Sequence, residues 1–265
     1  MKKIAIYCVN YHSYDSLRNY LVSIDEAMKQ AVNVVSLSVI IADNTTPAEH
    51  VNYTPQHFTL QVIETGDNRG YFGAVHYAMQ QVCPQDYAFA IISNVDVLLE
   101  TDFFTTLSSI KTKEDTGWIA PAIFSQTLHF DFNPQAINRY SLKKMRLLRL
   151  MFKYPLLLRL KQKMLHMYHD IKDCPSRTIY AGHGSFIILT KRFFEQCGII
   201  DYPVFLYGEE IYLAEVCRKN NLCVEYTPDI KVQDIGRVST GKIPSRQYCQ
   251  YNYQAIDFII KNYYL

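Results

Sequence analysis

The run Asp86-Tyr-Ala-Phe-Ala-Ile-Ile-Ser-Asn-Val-Asp-Val-Leu-Leu-Glu100 constrains this chain more than any other stretch. Tyr87 to Ile92 is apolar and stops abruptly at Ser93-Asn94-Val95-Asp96. A short apolar run bounded by polar residues suits a strand buried on both faces. In open α/β sheets, ligands sit outside the carboxyl ends of such strands. Asn94 and Asp96 are two residues apart, so on extended chain both side chains share a face. Asp96 offers a hard oxygen to Mg²⁺ or Mn²⁺ and Asn94 a neutral one, with substrate phosphates completing the shell. An Asx turn that merely closes the strand is the structural alternative.

The same pattern recurs along the chain. Lys3 to Val9 reads as a first buried strand ending in Asn10-Tyr11-His12, followed by a helix over Tyr14 to Ala31. Ser13 or Asp15 is its expected cap. Val34 to Ile41 is a second strand ending in Ala42-Asp43-Asn44-Thr45, and Phe58 to Glu64 a third ending in Gly66-Asp67-Asn68-Arg69-Gly70. A helix from about Gly73 to Val82 leads into the opening strand. Strand–helix alternation predicts a mostly parallel sheet with right-handed crossovers. It places Asn10, Asp43, Asn68 and Asp96 along one crevice. Gly70 and Gly73 either let backbone approach a ligand closely or serve only their turn.

Further on, Asp102 to Ile110 reads as a helix and Trp118 to Phe124 as a strand. Thr178 to Leu189 carries Gly182-His183-Gly184 before an apolar run, Lys191 to Cys197 is a short helix, and Glu209 to Asn220 a longer one. Glu209 and Glu210 open that helix. They either compensate its dipole or supply a general base. Leu222 to Tyr226 and Ile230 to Val232 are expected as separate short strands. The tail from Pro244 is an aromatic helix bearing Tyr248, Tyr251, Tyr253 and Phe258, a spacing that suits core or a dimer interface more than a sugar platform.

Leu142 to Tyr168 stands apart, with Lys143, Lys144, Arg146, Arg149, Lys153, Arg159, Lys161 and Lys163 and no acid. Large apolar residues interleave at helical spacing, and Pro155 is expected to divide the stretch into two helices. Such a helix either lies on an anionic membrane surface or covers the sheet with its lysines solvated.

Net charge is only +2, and no recognisable nucleic-acid module accompanies the basic run, so nucleic acid is not an expected partner. No uncharged apolar stretch reaches the ~18 residues of a spanning helix. No secretory leader is expected, because Met1-Lys2-Lys3 precedes only the short apolar run Ile4 to Val9. Seven scattered cysteines (Cys8, Cys83, Cys174, Cys197, Cys217, Cys223 and Cys249) form no Cys-x-x-Cys pair, which argues against zinc and for reduced thiols in a cytoplasmic setting. No dinucleotide fingerprint follows the first strand, which disfavours a dehydrogenase.

Taken in order, Val9-Asn10-Tyr11, Ala42-Asp43-Asn44-Thr45, Asn68-Arg69-Gly70-Tyr71-Phe72-Gly73, Asn94-Val95-Asp96, Gly182-His183-Gly184-Ser185 and Phe205-Leu-Tyr-Gly-Glu209-Glu210 resemble the landmarks of family 2 glycosyltransferases. Within that family they look most like the bacterial rhamnosyltransferase-type enzymes of O-antigen and capsule synthesis. The resemblance leaves out about Asn133 to Arg177 and the last 20 residues. It implies one GT-A domain: a nucleotide-sugar half over 1–125, the basic helical insert over 126–176, an acceptor and catalytic half over 177–243, and the aromatic helix over 244–265. It implies an inverting transfer from a UDP-, dTDP- or GDP-sugar to a glycan acceptor, with a polyprenyl-diphosphate-linked glycan expected at the cytoplasmic face of the membrane.

By the same resemblance Asp43 contacts the donor's base or ribose, Asn68 and Gly70 line the nucleotide, and Asp96 binds Mg²⁺ or Mn²⁺. Asn10 and Asn94 complete the expected donor contacts. Glu210, beside Glu209, is the expected base. Two departures stand out. Asn94 replaces the first aspartate of the commonest metal motif, and Gln233-Asp234 stands where a late histidine is usual, leaving Asp234 as the expected second metal ligand. A homodimer through the aromatic tail is expected. A sugar nucleotidyltransferase and a catalytically degenerate binding protein are the competing readings.

Overall fold

The computed structural model describes residues 1–155, 176–236 and 245–265. The second half of the basic stretch, Cys174 and the end of the polar loop after Gln233 lie outside the described residues.

Nine strands make one sheet: β1 Lys2–Asn10, β2 Val35–Asp43, β3 Thr59–Glu64, β4 Phe89–Ser93, β5 Val97–Leu99, β6 Thr116–Ser125, β7 Arg177–Ile179, β8 Phe186–Thr190 and β9 Cys223–Asp234. Their order is β3-β2-β1-β4-β8-β6-β9-β5, with β7 on β9. Every residue of β4 is buried, as its apolar run predicts. Among the described residues the α-helices are α1 Tyr14–Met28, α2 Tyr71–Gln81, α3 Phe103–Ser109, α4 Leu142–Lys153, α5 Lys191–Cys197, α6 Glu209–Lys219 and α7 Ser245–Ile259.

Strands β3, β2, β1 and β4 are parallel, as the alternation predicts. The prediction of a mostly parallel sheet fails beyond β4. Strand β8 runs antiparallel to both β4 and β6, and β9 is antiparallel to β5 and β7 while parallel to β6. The reason lies in the order of polar and apolar residues. In β1, β2 and β4 the polar turn follows the strand; around β8, Gly182 to Ser185 precede it. To put those residues at the same edge as Asn94, the strand has to run backwards. The contact is direct: the Asn94 N–H donates to the Ser185 carbonyl at 2.9 Å.

Two more expectations shift. Thr178 to Leu189 divides into β7 and β8 around the glycine turn. The two short strands expected after Leu222 are one strand, β9, whose register against β6 slips between Pro121 and Ala122. The slip absorbs Pro228 to Ile230 and keeps both halves in the sheet.

Alternation along β1 defines two cores. Ile4, Ile6 and Cys8 face α1 and α3, while Ala5 and Tyr7 face the layer of α2, α5, α6 and α7. The switch point is β1: the chain proceeds from it to β2 on one side and later returns to β4 on the other. A crevice therefore opens beyond the carboxyl ends of β1 and β4. Helix α4 buries Met145 and Met151 and packs along α7, with an Arg149–Asp257 ion pair at 2.8 Å. The fully buried Glu215 of α6 ties the last residues down. It accepts from Arg139 Nε (2.6 Å), Tyr180 OH (2.7 Å) and Arg218 Nε (2.9 Å), while Arg139 also donates to the Tyr263 carbonyl. Among the described residues no helix is long and apolar enough to cross a membrane.

Candidate active site

The crevice is the mouth of a cavity of about 840 Å³, within the range of small-molecule sites. Of the residues singled out by sequence, Asn68, Gly70, Asn94, Asp96, Asp234, Glu209 and Glu210 line it.

Asn10 and Asp43 do not reach the cavity wall; both are fully buried beneath it. Asp43 Oδ1 accepts from Asn10 Nδ2 (3.1 Å) and the Thr45 N–H (3.0 Å), and its Oδ2 accepts from Tyr14 OH (2.7 Å). Asn10 Oδ1 in turn accepts from the Ser13 N–H that begins the turn into α1. These two residues lock the ends of β1 and β2 together. The neighbour the sequence reading passed over, Asn44, occupies the wall instead. Its Nδ2 donates to the Gly70 carbonyl (2.8 Å) and its Oδ1 accepts from Thr65 Oγ1 (3.0 Å). It thus fixes the loop that carries Asn68.

Gly70 is required, though its closest neighbour is protein. Its φ is +73°, and a Cβ there would stand 1.8 Å from the Phe205 carbonyl oxygen. Only glycine lets these two loops meet. The Asn68–Gly70 loop is thereby welded to the segment that leads into Glu209-Glu210.

Asp96 and Asp234 come together across the sheet. Val97 pairs with Asp234, and the Ile235 N–H donates to the Asp96 carbonyl at 3.1 Å. Both carboxylates are buried, and Asn94 lies two residues before Asp96. Among the described residues no group of three or more His, Cys, Asp or Glu side chains converges as a metal centre. The donor set is hard oxygen only, which fits Mg²⁺ or Mn²⁺ provided that substrate oxygens supply the rest of the shell.

Glu209 and Glu210 diverge although adjacent. Glu209 folds back, its Oε1 accepting from the Tyr207 N–H at 3.0 Å. Glu210 lies against Gly184, where a Cβ would sit 2.8 Å from its Oε1. Glycine at 184 leaves room for the carboxylate. Burial pushes both carboxyl groups above the usual carboxylate range, and the charge of Glu210 raises Glu209 further. Tyr71, missed by sequence as a site residue, lines the cavity beside Gly184. Its hydroxyl donates to the Gly184 carbonyl at 3.0 Å, and burial, followed by the charges of Glu209, Glu210 and Asp96, keeps it protonated.

The aromatic tail turns out to line the cavity too. Tyr248 and Tyr251 of α7 join Phe152 of α4 and Phe205 and Tyr207 in its wall. Sequence spacing showed that α7 has an aromatic face, but not what that face meets.

The sequence matches no family profile and no curated protein. Among solved structures the chain is similar to GalNAc-T7 crystallised with UDP, GalNAc and Mn²⁺, with a TM-score of 0.58 at 13% identity. The chain has a GT-A fold. The match covers 92% of this chain and 45% of that one, so this GT-A chain spans less than half the length of its neighbour. At this identity the similarity establishes architecture, and the chemistry has to be argued from the residues above.

Proposed function

We propose that this protein transfers a glycosyl group from a nucleotide-sugar to a hydroxyl of a glycan acceptor, by single displacement with inversion. One observation carries the reading. Glu210 lies in the same cavity as Asp96 and Asp234, inside a GT-A fold whose solved neighbour binds UDP and Mn²⁺. A base and a diphosphate-charge site in one enclosed space are what one displacement at an anomeric carbon needs.

The donor, a UDP-, dTDP- or GDP-sugar, lies along Asn44, Asn68 and the Asn94–Asp96 turn. Asp43 and Asn10 act beneath it, holding that floor rigid. Asp96 and Asp234 are the residues that would hold Mg²⁺ or Mn²⁺. When bound, the ion neutralises charge developing on the leaving diphosphate. Glu210 takes the acceptor's proton as its oxygen attacks, and a carboxyl raised by burial is better matched to that task at neutral pH than an ordinary one. Glu209 accepts from the Tyr207 N–H and so holds the backbone that leads into Glu210.

A glycan on a lipid carrier, as in bacterial capsule or O-antigen synthesis, suits the outer face of α4. Lys143, Arg146, Leu147, Leu150 and Tyr154 form one exposed stripe there, basic at its amino end and apolar beyond. Such a stripe suits peripheral contact with an anionic leaflet from the cytoplasmic side. Flotation with phosphatidylglycerol vesicles tests it: loss of binding in Leu147→Glu/Leu150→Glu is expected, and no binding by the native chain refutes it. The expected homodimer has less support, because the tail's Tyr248 and Tyr251 face the chain's own cavity.

The central test joins thermal shift to turnover. One nucleotide-sugar is expected to raise Tm only with Mn²⁺ or Mg²⁺, and Asp96→Ala to abolish the metal dependence. Glu210→Gln is expected to leave that shift intact while slowing nucleoside diphosphate release by about 10²–10⁴-fold, the usual worth of a general base. Full turnover by Glu210→Gln overturns the mechanism.

A further inference from the structure

The cavity has more wall than a donor and a metal ion use. Asn44, Asn68 and Asp96 belong to loops at the edge of the sheet, and Asp234 ends β9 there. A second arm is built from elements that carry none of them: α4 through Leu148 and Phe152, the segment Phe205 to Gly208, and the first half of α7. On α7 the lining residues Gln247, Tyr248, Tyr251, Asn252 and Ala255 recur three and four apart, so one whole helix face is turned inward.

We infer that this arm is the acceptor subsite and that it takes a saccharide ring against the tyrosines Tyr207, Tyr248 and Tyr251. The inference deepens the transferase reading and rests on it. Its first support is composition. Beside the aliphatic Leu148, Leu206, Ala255 and Ile256, the wall carries three tyrosines, Tyr207, Tyr248 and Tyr251, whose rings end in hydroxyls. The Gln247 amide donates to Tyr251 OH at 2.7 Å, and Asn252 lines the same face. Apolar faces rimmed by hydroxyls and amides match a pyranose, whose C–H faces are apolar and whose edge is hydroxylated.

The second support is the way the rings are held. Tyr207 and Tyr248 have centroids 5.0 Å apart at 75°, Phe205 and Tyr251 5.2 Å at 51°, and Phe152 and Tyr248 5.9 Å at 67°. Tilted contacts of this kind fix each ring through its neighbour. Even so, Tyr248 remains 36% exposed and Tyr207 and Tyr251 half-buried, which a packed core would not leave.

The third support is backbone strain beside the base. Tyr207 has φ +71°, a left-handed conformation that a bulky residue rarely adopts. It is clamped on both sides: its carbonyl accepts from Tyr202 OH (2.9 Å) and its N–H donates to Glu209 Oε1 (3.0 Å). Strain that the surroundings enforce is characteristic of ligand clamps. Its consequence here is to set an aromatic ring into the arm three residues before Glu210, the group that takes the acceptor's proton.

The experiment uses the full chain with methyl glycosides of glucose, galactose, mannose, rhamnose and N-acetylglucosamine at millimolar concentration, read by saturation-transfer NMR. Thermal shift by UDP, dTDP and GDP with Mn²⁺ is measured on the same samples. At least one glycoside is expected to receive saturation at its ring C–H protons. Tyr248→Ala is expected to weaken it roughly three- to tenfold, the scale of one aromatic contact. Tyr251→Leu, which keeps apolar volume and the fold, is expected to weaken it as well. The nucleotide shift is expected to stay unchanged in both variants. Folded protein that binds nucleotide but no glycoside, or that binds one equally in both variants, overturns the subsite. Glycoside binding lost in the variants but without any nucleotide shift in the native chain leaves the saccharide subsite standing and sinks the transferase reading instead.

Discussion

Gly184→Ala isolates the position of the base from its chemistry. A Cβ at 184 would stand 2.8 Å from Glu210 Oε1 and 3.1 Å from its Cδ. Relief to an ordinary contact of 3.4 Å requires the carboxylate to retreat by about 0.6 Å. The obstacle is the far end of a side chain, so the backbone has no need to move. The φ of residue 184 lies outside the left-handed region, so alanine carries no conformational penalty there. A misplacement of about 1 Å in an active site can cost ~10²-fold. A retreat of about 0.6 Å is therefore expected to slow turnover about tenfold, or ~1.4 kcal/mol in the barrier. Tm and the metal-dependent nucleotide shift should hold. The assay is release of nucleoside diphosphate from the donor that the thermal screen identifies, at saturating donor. Gly182→Ala is the control, because its Cβ would meet Ala120 Cβ at 2.7 Å and the fully buried Trp118 ring at 2.9 Å. Overpacking rigid core costs about 1–3 kcal/mol, so this variant should lose about 2–10 °C in Tm. Turnover by Gly184→Ala within twofold of native would refute the placement of Glu210 as base.

Two further predictions concern buried carboxyls with opposite signs. Glu209→Gln keeps an oxygen for the Tyr207 N–H but removes a group whose folded pKa is raised by burial and by Glu210. A raised folded pKa means that stability is lost as pH climbs from the ordinary carboxyl value of about 4.3 through the folded value. The variant should therefore gain Tm over native by an amount that grows from pH 5 to 8; a pH-independent Tm difference would count against the pair. Glu215 is the reverse case. Burial alone would raise its pKa, but the hydrogen bonds from Arg139, Tyr180 and Arg218 outweigh it and hold the carboxyl below its usual range. Its stabilisation is present above about pH 4.3 and fades as pH falls through the folded value. Glu215→Gln should cost about 2–4 kcal/mol at pH 7, less than a sealed ion pair because both arginines keep contact with water. The deficit in Tm should shrink towards pH 3, and an undiminished deficit there would refute the ionic account.

What the sequence disclosed follows from where local rules apply. Strands β1, β2 and β4 and the turns after them were legible because apolar runs end abruptly in polar residues. The Asn94–Asp96 turn was legible for the same reason, and Glu209-Glu210 as the acidic start of a helix. The direction of β8 was not, because no local propensity separates parallel from antiparallel pairing; only the place of Gly182–Ser185 ahead of the strand carries that information. Asp43 and Asn44 were harder still. Past the end of a strand the alternation rule stops, and the turn decides which of two neighbouring polar residues faces the ligand. Here Tyr14 and Asn10 capture Asp43 and leave Asn44 on the wall. The face presented by α7 was readable from its spacing, but its partner was a cavity that three distant segments create.

The helix-start reading of Glu209 and Glu210 can now be weighed against the functional one. A carboxylate in the first turn of a helix gains about 0.3–1 kcal/mol from the dipole, and up to ~2 when partly buried. If that were the reason for the pair, their pKa values would fall. Both instead rise, so the loss of water around them exceeds what the helix end returns. Each unit of upward shift is about 1.4 kcal/mol against the charged form. A surface helix obtains the dipole gain with exposed acids and none of that cost. This chain buries Glu209 and half-buries Glu210 beside it, leaves room for Glu210 at Gly184, and holds Tyr207 at positive φ with its N–H on Glu209. Dipole compensation predicts none of these three features; they are the features that the role proposed for Glu210, a proton acceptor held at a fixed position, requires.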